Sequence, residues 1–484
     1  MVIESLKYKI LQQFGFAPTQ EQGQALDTFV SFLTDRDPQA VMILRGSAGT
    51  GKTSLSGAIV RTLLQIRQKV MLLAPTGRAA KVFSLGSGAP AYTIHRRIYR
   101  EKAFAGVDGQ FSLNDNLYTD TLFMVDEASM IANMGLGGTT FGSGCLLDDL
   151  VKFVYQGHND RLLLIGDKAQ LPPVGEEESP ALSASVMEGY GLKVYECDLN
   201  EVLRQSQSSG ILYNATLIRQ MITHDAVTGL PLIRFKGFAD IVMMPGAELV
   251  ESLGDSYHHV GMDETMVITR SNKRANIYNN GIRNMVLDRE EELSSGDMLM
   301  IVKNNYFWTE KEKKESGEGS AGAVPAFLAN GDRAKVLRVS NYIELYGFRF
   351  ATLLLQLPDY DDYEMQVTGM LDTLQSEAPA LTHEQQEELF RQVEEDYQHF
   401  VPLKADRMKS IRQDAYFNAL QIKYAYAVTC HKAQGGQWAH VYVDQGYMTD
   451  DMLTPDYIHW LYTAFTRATD KMFQVNRPKA LSYT

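Results

Sequence analysis

The stretch Val41-Met42-Ile43-Leu44-Arg45-Gly46-Ser47-Ala48-Gly49-Thr50-Gly51-Lys52-Thr53 decides the fold class. Its apolar opening reads as a buried strand. The glycine-rich segment behind it, closed by Lys52-Thr53 and followed by the helix-patterned Ser54 to Gln65, has the spacing of a P-loop. In such a loop the backbone of Gly46, Ala48, Gly49, Thr50 and Gly51 curls around phosphate. Lys52 reaches the β- and γ-phosphates, and the Thr53 hydroxyl ligates Mg²⁺ at the N-terminus of the next helix. A glycine-rich turn that binds nothing is the bland alternative; the flanking strand and helix argue against it. ATP and Mg²⁺ are the expected cofactors.

A P-loop requires a second acidic site for the metal and the attacking water. Leu122-Phe123-Met124-Val125 is another buried-strand run, and it ends in Asp126-Glu127. Asp126 is expected to hold Mg²⁺ and Glu127 to polarise water. A third run, Leu162-Leu163-Leu164-Ile165, leads into Gly166-Asp167-Lys168-Ala169-Gln170-Leu171-Pro172-Pro173-Val174-Gly175. Taken alone, that block is also compatible with a rigid Pro-Pro turn after a core strand.

In this order the blocks resemble the superfamily 1 helicases. The resemblance implies that Gln170 senses the γ-phosphate, as in the family's motif III. Pro18-Thr19-Gln20-Glu21-Gln22 looks like the Q motif, which implies that Gln22 reads adenine. Ala74 to Ala80 resembles motif Ia, and Thr93-Ile94-His95 the short motif after it, which implies nucleic-acid contacts from Pro75, Thr76, Gly77, Thr93 and His95. Leu199 to Gln205 resembles motif IV, with Arg204 facing the γ-phosphate. Thr429 to Gly436 resembles motif V, which implies that Thr429, His431 and Lys432 meet nucleic acid and Gly435 the nucleotide side. Tyr462 to Ala468 resembles motif VI, with Arg467 as the arginine finger. The forms of motifs III and V are similar to the RecD-like helicases, especially the compact phage Dda type, which move 5′ to 3′. Gln437 follows Gly436 where relatives often carry an acid, so motif V transfers less completely than motif I.

Single residues in these blocks also admit plainer readings. Arg204 alone could be a solvated surface arginine, and His95, His431 and Lys432 could be structural. The order of the blocks, most of them ending a strand or opening a helix, favours the functional reading.

The expected fold is α/β, with two RecA-like domains spanning 1–225 and 226–484. The polar, glycine-containing stretch 96–120 is expected to form a β-hairpin inserted in the first domain. It is either a wedge or a plain exposed hairpin, with Phe104 and Phe111 as tip aromatics or as core packing. Relatives place a small SH3-like barrel in the second domain, here within about 296–420. Thr382 to Gln398 is acidic and helix-patterned, with Leu389, Val393 and Phe400 as its apolar side, and Lys311 to Gly319 reads as a mobile polar loop. Gly135 to Gly144 carries no readable role.

Composition sets the outer bounds. A chain of 484 residues, 45% hydrophobic and 22% charged, can bury several cores. Cys145, Cys197 and Cys430 have neither disulfide nor zinc spacing, and no apolar run reaches membrane length. The expectation is a cytoplasmic protein that does not enter membranes. A net charge of -13 argues against a protein coating nucleic acid with its whole surface, while leaving room for a local basic channel. The expected partners are single-stranded DNA and duplex junctions, with unidentified replication or repair proteins, and the chain is expected to act as a monomer. A P-loop switch that ignores nucleic acid, or an RNA helicase, is the alternative.

Overall fold

The computed structural model describes the chain apart from residues 1, 106–107, 136–141, 203–207, 224–228, 317–323, 326, 450–452, 478–481 and 484. The P-loop strand, Ala40–Gly46, lies inside a six-stranded sheet in which every pairing is parallel. It is fully buried, because helices cover both faces. Val41 and Ile43 pack with helix Leu146–Gln156, whereas Met42 and Leu44 pack with helices Val2–Phe14, Gln20–Thr34 and Lys52–Gln65. The strand order inserts Arg161–Gly166 between Ala40–Gly46 and the Asp126-bearing strand Thr121–Val125. The segment that leaves this strand at Gly166 is thereby set between the P-loop and the acid pair.

A second, five-stranded parallel sheet contains Ile241–Met244, Ala468–Val475, Trp438–Asp444, Thr265–Thr269 and Ala427–Thr429. The two RecA-like sheets of the α/β reading are therefore present. The core of the second half also takes in Ile211, Ala215 and Ile218 of helix Gly210–Thr223. The boundary expected at 225/226 follows this helix, whose buried face packs into that cluster together with Ala169 and Leu171 of the first half.

The expected barrel is closed and five-stranded: Met298–Ile301, Arg333–Leu345, Phe348–Leu357, Tyr363–Met370 and Leu420–Tyr424. The last strand closes it, antiparallel to the first and parallel to the fourth. Helix His383–Gln398 docks Leu389 and Val393 against Phe350 and Ile411, while Phe400 lies beyond its end and is 80% exposed. Phe400 is thus not part of the apolar side. Lys311 to Ser316, expected as loop, is the last part of helix Phe307–Ser316, which Trp308 anchors by donating from Nε1 to Asn418 O at 2.9 Å. One buried tryptophan outweighs a polar composition that by itself suggests a loop.

The inserted hairpin is formed by Tyr99–Ala105 and Asp108–Leu113, antiparallel, after a short helix Ile94–Ile98. Phe104 pairs across with Gly109 near the turn, but its side chain is outside the described residues. Phe111 is opposite Glu101, away from the turn, and its ring sits 4.4 Å from that of Tyr306, which stacks on Phe327 at 4.6 Å. Phe111 is therefore a packing residue and not a tip aromatic.

Asp297 welds the barrel to the second sheet. Fully buried, it accepts hydrogen bonds from Arg283 Nε (3.0 Å), Arg289 Nη1 (2.6 Å), the Tyr426 hydroxyl (2.7 Å) and Ser294 N–H (2.7 Å). Deleting one partner of such a cluster leaves a guanidinium buried without its counter-charge. Asp297→Ala is expected to cost about 3–5 kcal/mol in urea unfolding, and a loss below roughly 1 kcal/mol, the level of an exposed pair, would contradict that role.

Candidate nucleotide and nucleic-acid site

Gly49 and Gly51 take φ of +77° and +76°, the left-handed geometry that lets the loop turn its N–H groups inward. Thr50 Oγ1 donates to Ser47 O at 2.7 Å, closing the loop on itself. Gln22 braces it from behind, donating from Nε2 to Thr50 O at 2.9 Å, while its Oε1 accepts from Thr19 N–H at 3.0 Å as half of a helix capping box. The amide expected to read adenine is used to hold the P-loop.

Lys52, Thr53, Asp126, Glu127, Gln170, Gly435 and Arg467 all line one cleft of about 690 Å³ between the two sheets. Asp126 donates its N–H to Leu73 O on the neighbouring strand, and burial pushes its carboxyl up to about 6 against the pull of Lys52. Burial also raises Asp167, again opposed by Lys52. Glu127 Oε2 and Gln170 Oε1 are buried without a hydrogen-bond partner among the described residues. Such atoms are costly unless a ligand or water meets them. Thr53 and Asp126 supply the hard oxygen donors that Mg²⁺ takes alongside phosphate and water, and the described residues contain no separate cluster of three or more metal-binding side chains. The residues present therefore fit a Mg²⁺-nucleotide.

Arg467 is buried, donating to Thr463 O (3.2 Å), Gly436 O (3.1 Å) and Thr466 Oγ1 (3.0 Å). Arg204 lies outside the described residues.

Two contributors were missed by sequence reading. The buried Tyr462 hydroxyl accepts from Ala48 N–H of the P-loop at 3.1 Å and donates to Asp167 Oδ2 at 2.6 Å. Arg219, on the helix that packs into the second core, donates to Ser47 Oγ. Tyr462 stands within the motif VI block, so its neighbourhood was legible. Arg219 belongs to no block, and only packing reveals it.

The positions expected at nucleic acid fall into two groups. Thr76 and Thr93 spend their hydroxyls capping helices Gly77–Ser87 and Ile94–Ile98, accepting from Ala79 N–H at 3.2 Å and Arg96 N–H at 3.3 Å. Pro75 precedes the first cap, and Gly77 is buried against Asp332 and Tyr360 of the barrel. His95 lies 5.6 Å from the Tyr99 ring, and burial lowers its pKa to about 4. In motif V, Thr429 opens the short helix Cys430–Ala433, His431 is exposed, and Lys432 Nζ bonds Asn330 Oδ1, with burial lowering its pKa to about 8. Gly435 brings this motif against motif Ia: its φ is +74°, and a Cβ there would fall 2.9 Å from Ala79 Cβ.

Residues 17–229 match the family described as AAA domain, and residues 424–474 match the UvrD-like helicase C-terminal domain. The ATP-dependent RecD2 DNA helicase of Deinococcus radiodurans is 30% identical over 157 residues, covering 32% of this chain and 18% of that protein. The ATP-dependent DNA helicase dda of Enterobacteria phage T4 is 25% identical over 267 residues, covering 53% of this chain and 55% of that protein. The chain spans only part of the length of either. A crystal structure of a Pif1 helicase from Bacteroides, in complex with ADP-AlF3 and ssDNA, aligns with a TM-score of 0.46 at 13% identity, covering 97% of this chain and 95% of that one.

Tyr462→Phe keeps the buried ring and removes the hydroxyl shared by Ala48 and Asp167. Oδ2 of the buried carboxylate then lacks its donor, while Oδ1 keeps Ala169 N–H, so unfolding in urea is expected to show a loss of about 1–3 kcal/mol; an unchanged midpoint would show that this bridge does not hold the lobes.

Proposed function

We propose that this chain, which is similar to the superfamily 1 helicases of the RecD-like and Dda-type branch, is an ATP-driven motor that moves along single-stranded DNA, 5′ to 3′, and unwinds duplex ahead of it. The observation that carries this reading is the shared cleft, in which P-loop, acid pair and Gln170 from one lobe face Gly435 and Arg467 from the other. A site split between two lobes converts binding into closure. Lys52 and the loop N–H groups would hold the phosphates, Thr53 and Asp126 the Mg²⁺, and Glu127 would orient the attacking water. Bound Mg²⁺ supplies charge neutralisation at the transferring phosphoryl group. Arg467, released from Gly436 O, would add positive charge there; such arginines contribute roughly 10³ to 10⁵ in rate. Gln170 would pass the state of the cleft to Leu171, whose N–H donates to Thr463 Oγ1 on the motif VI helix at 2.8 Å.

The proposed nucleic-acid face consists of Pro75, Thr76, Gly77, Thr93 and His95 on one lobe and Thr429, His431 and Lys432 on the other. Thr76 and Thr93 would act through the N-termini of the helices they cap, where backbone N–H groups suit phosphate. Opening and closing would then alternate the grip of the two lobes. The hairpin is proposed as the wedge, braced by Phe111 against Tyr306. No helix among the described residues is long and apolar enough to cross a membrane; a monomer working in the cytoplasm on replication, recombination or repair intermediates suits the reading.

Lys52→Ala is expected to abolish ATP hydrolysis, and Glu127→Gln to retain ATP binding while stalling turnover, as read by phosphate release and by binding of a fluorescent nucleotide. Full turnover in either variant would remove the assignment. Stimulation by single-stranded DNA separates the motor from a switch that ignores nucleic acid.

Unwinding is expected on duplexes with a 5′ tail and not a 3′ tail. Shortening the hairpin between Phe104 and Asn114 should suppress that unwinding while single-strand-stimulated hydrolysis persists, since each base-pair step it opens costs about 1.4 kcal/mol in stacking. A preference for the 3′ tail would reverse the polarity, and normal unwinding by the shortened protein would dismiss the wedge.

A further inference from the structure

A second cleft, of about 850 Å³, opens where helix Phe307–Ser316 and helix Lys404–Arg412 approach the barrel. Five cations line it: Lys303, Lys311, Lys314, Lys409 and Arg412. The only carboxylate among its described lining residues is Glu310. Each helix contributes a pair spaced three residues apart, Lys311 with Lys314 and Lys409 with Arg412, the spacing that puts two side chains on one helix face. Lys311, Lys314 and Lys409 are exposed, and the Lys311 ammonium lies 5.2 Å from the centre of the Trp308 ring. In a chain of net charge -13, such a concentration of positive charge is a local exception, and it favours a polyanion.

The cleft also offers the ring of Phe307 and the amide of Asn304, whereas the Tyr306 ring is taken up between Phe111 and Phe327 and the Asn305 amide by Asn418 O and Trp308 N–H. This mixture of cations, aromatics and neutral hydrogen-bonding groups suits single-stranded nucleic acid better than an isolated phosphate, because bases stack while the backbone is neutralised. Its position selects which strand. None of the positions assigned to the tracking strand lines it, although Lys432 bonds Asn330, which does. One wall is Phe111 of the hairpin. A strand turned aside at that hairpin would meet the barrel side, where these cations are.

We infer that this cleft is a second nucleic-acid site, taking the phosphate backbone of the strand set aside at a junction while the first site grips the tracked strand. The inference rests on the motor reading above, and the test separates the two. The full chain is compared on a 5′-tailed duplex and on the same duplex carrying a non-complementary 3′ flap on the opposite strand, with 4-thiothymine placed either in the flap or in the tail. The flap is expected to tighten binding about tenfold at moderate salt and to crosslink to residues within 303–314 or 404–412. The double variant Lys311→Glu, Lys409→Glu should lose that gain and reduce the salt slope of flap binding by about 1.4, two phosphates at about 0.7 each. Its affinity for the flapless substrate and its single-strand-stimulated hydrolysis should stay within about twofold, because neither lysine touches the first site.

The inference is overturned if the flap adds no affinity, if the gain survives in the double variant, or if thiothymine in the tail marks these helices, which would make the cleft part of the tracking path. Absence of any stimulation by single-stranded DNA overturns the motor reading instead, and the binding and crosslinking measurements still decide the cleft.

Discussion

The joint between the P-loop lobe and the motif VI helix is the constraint on which the rest of the molecule depends. Helix Pro455–Phe465 presents Tyr462, Thr463 and His459 to the P-loop and to the segment Asp167 to Leu171 of the first lobe. Tyr462 takes Ala48 and Asp167, Thr463 Oγ1 accepts from Leu171 N–H, and His459 Nδ1 is 2.9 Å from Ala169 O. Gln434 of motif V adds a bond from Nε2 to Leu171 O at 2.7 Å. Each such bond contributes only about 0.5–1.5 kcal/mol net, so the joint can form and break at modest cost in the proposed cycle. Breaking one while its partner stays buried costs more, which makes partial opening unfavourable and ties the bonds to one another.

The same logic explains why motif III occupies its place in the sheet. The strand Arg161–Gly166 lies between the P-loop strand and the acid-pair strand, so Asp167 and Gln170 emerge between Lys52 and Glu127. A change at the phosphates and a change at the motif VI helix therefore meet in the same few residues. Elsewhere the lobes and the barrel are held by charge: Arg78 pairs with buried Asp359 at 3.1 Å, and Arg333 with the same carboxylate at 3.5 Å. Burial alone would raise the Asp359 pKa, but these guanidiniums outweigh it and hold it below the usual carboxylate value. Motif Ia is thus tied to the barrel through the residue next to Gly77.

The barrel serves as a platform. Asp297 and its arginines fix it to the second sheet, and the stack Phe111–Tyr306–Phe327 reaches from it to the first-lobe hairpin. Helices Phe307–Ser316 and Lys404–Arg412 stand on it and concentrate positive charge on a molecule whose overall charge is negative. Net charge is a sum over the surface, whereas a phosphate responds to groups within about a Debye length, roughly 8–10 Å.

The barrel was expected only from the family resemblance; legible in the sequence alone was whatever depends on a few consecutive residues: the P-loop after Ala40–Gly46, the acid pair after Thr121–Val125, the parallel-sheet class from continuous apolar runs, and the hairpin. Each is a local pattern with a local physical cause, either backbone geometry that needs glycine or a strand buried on both faces. Only the tertiary structure decided what depends on residues far apart in the chain. It bound Gln22 to Thr50, turned Phe111 toward Tyr306, drew helix Gly210–Thr223 into the second core, and brought Tyr462 to Ala48 across 414 positions of sequence. Those outcomes are settled by which buried donor finds which buried acceptor and by which apolar face closes over which core, and no local pattern in the chain encodes such pairings.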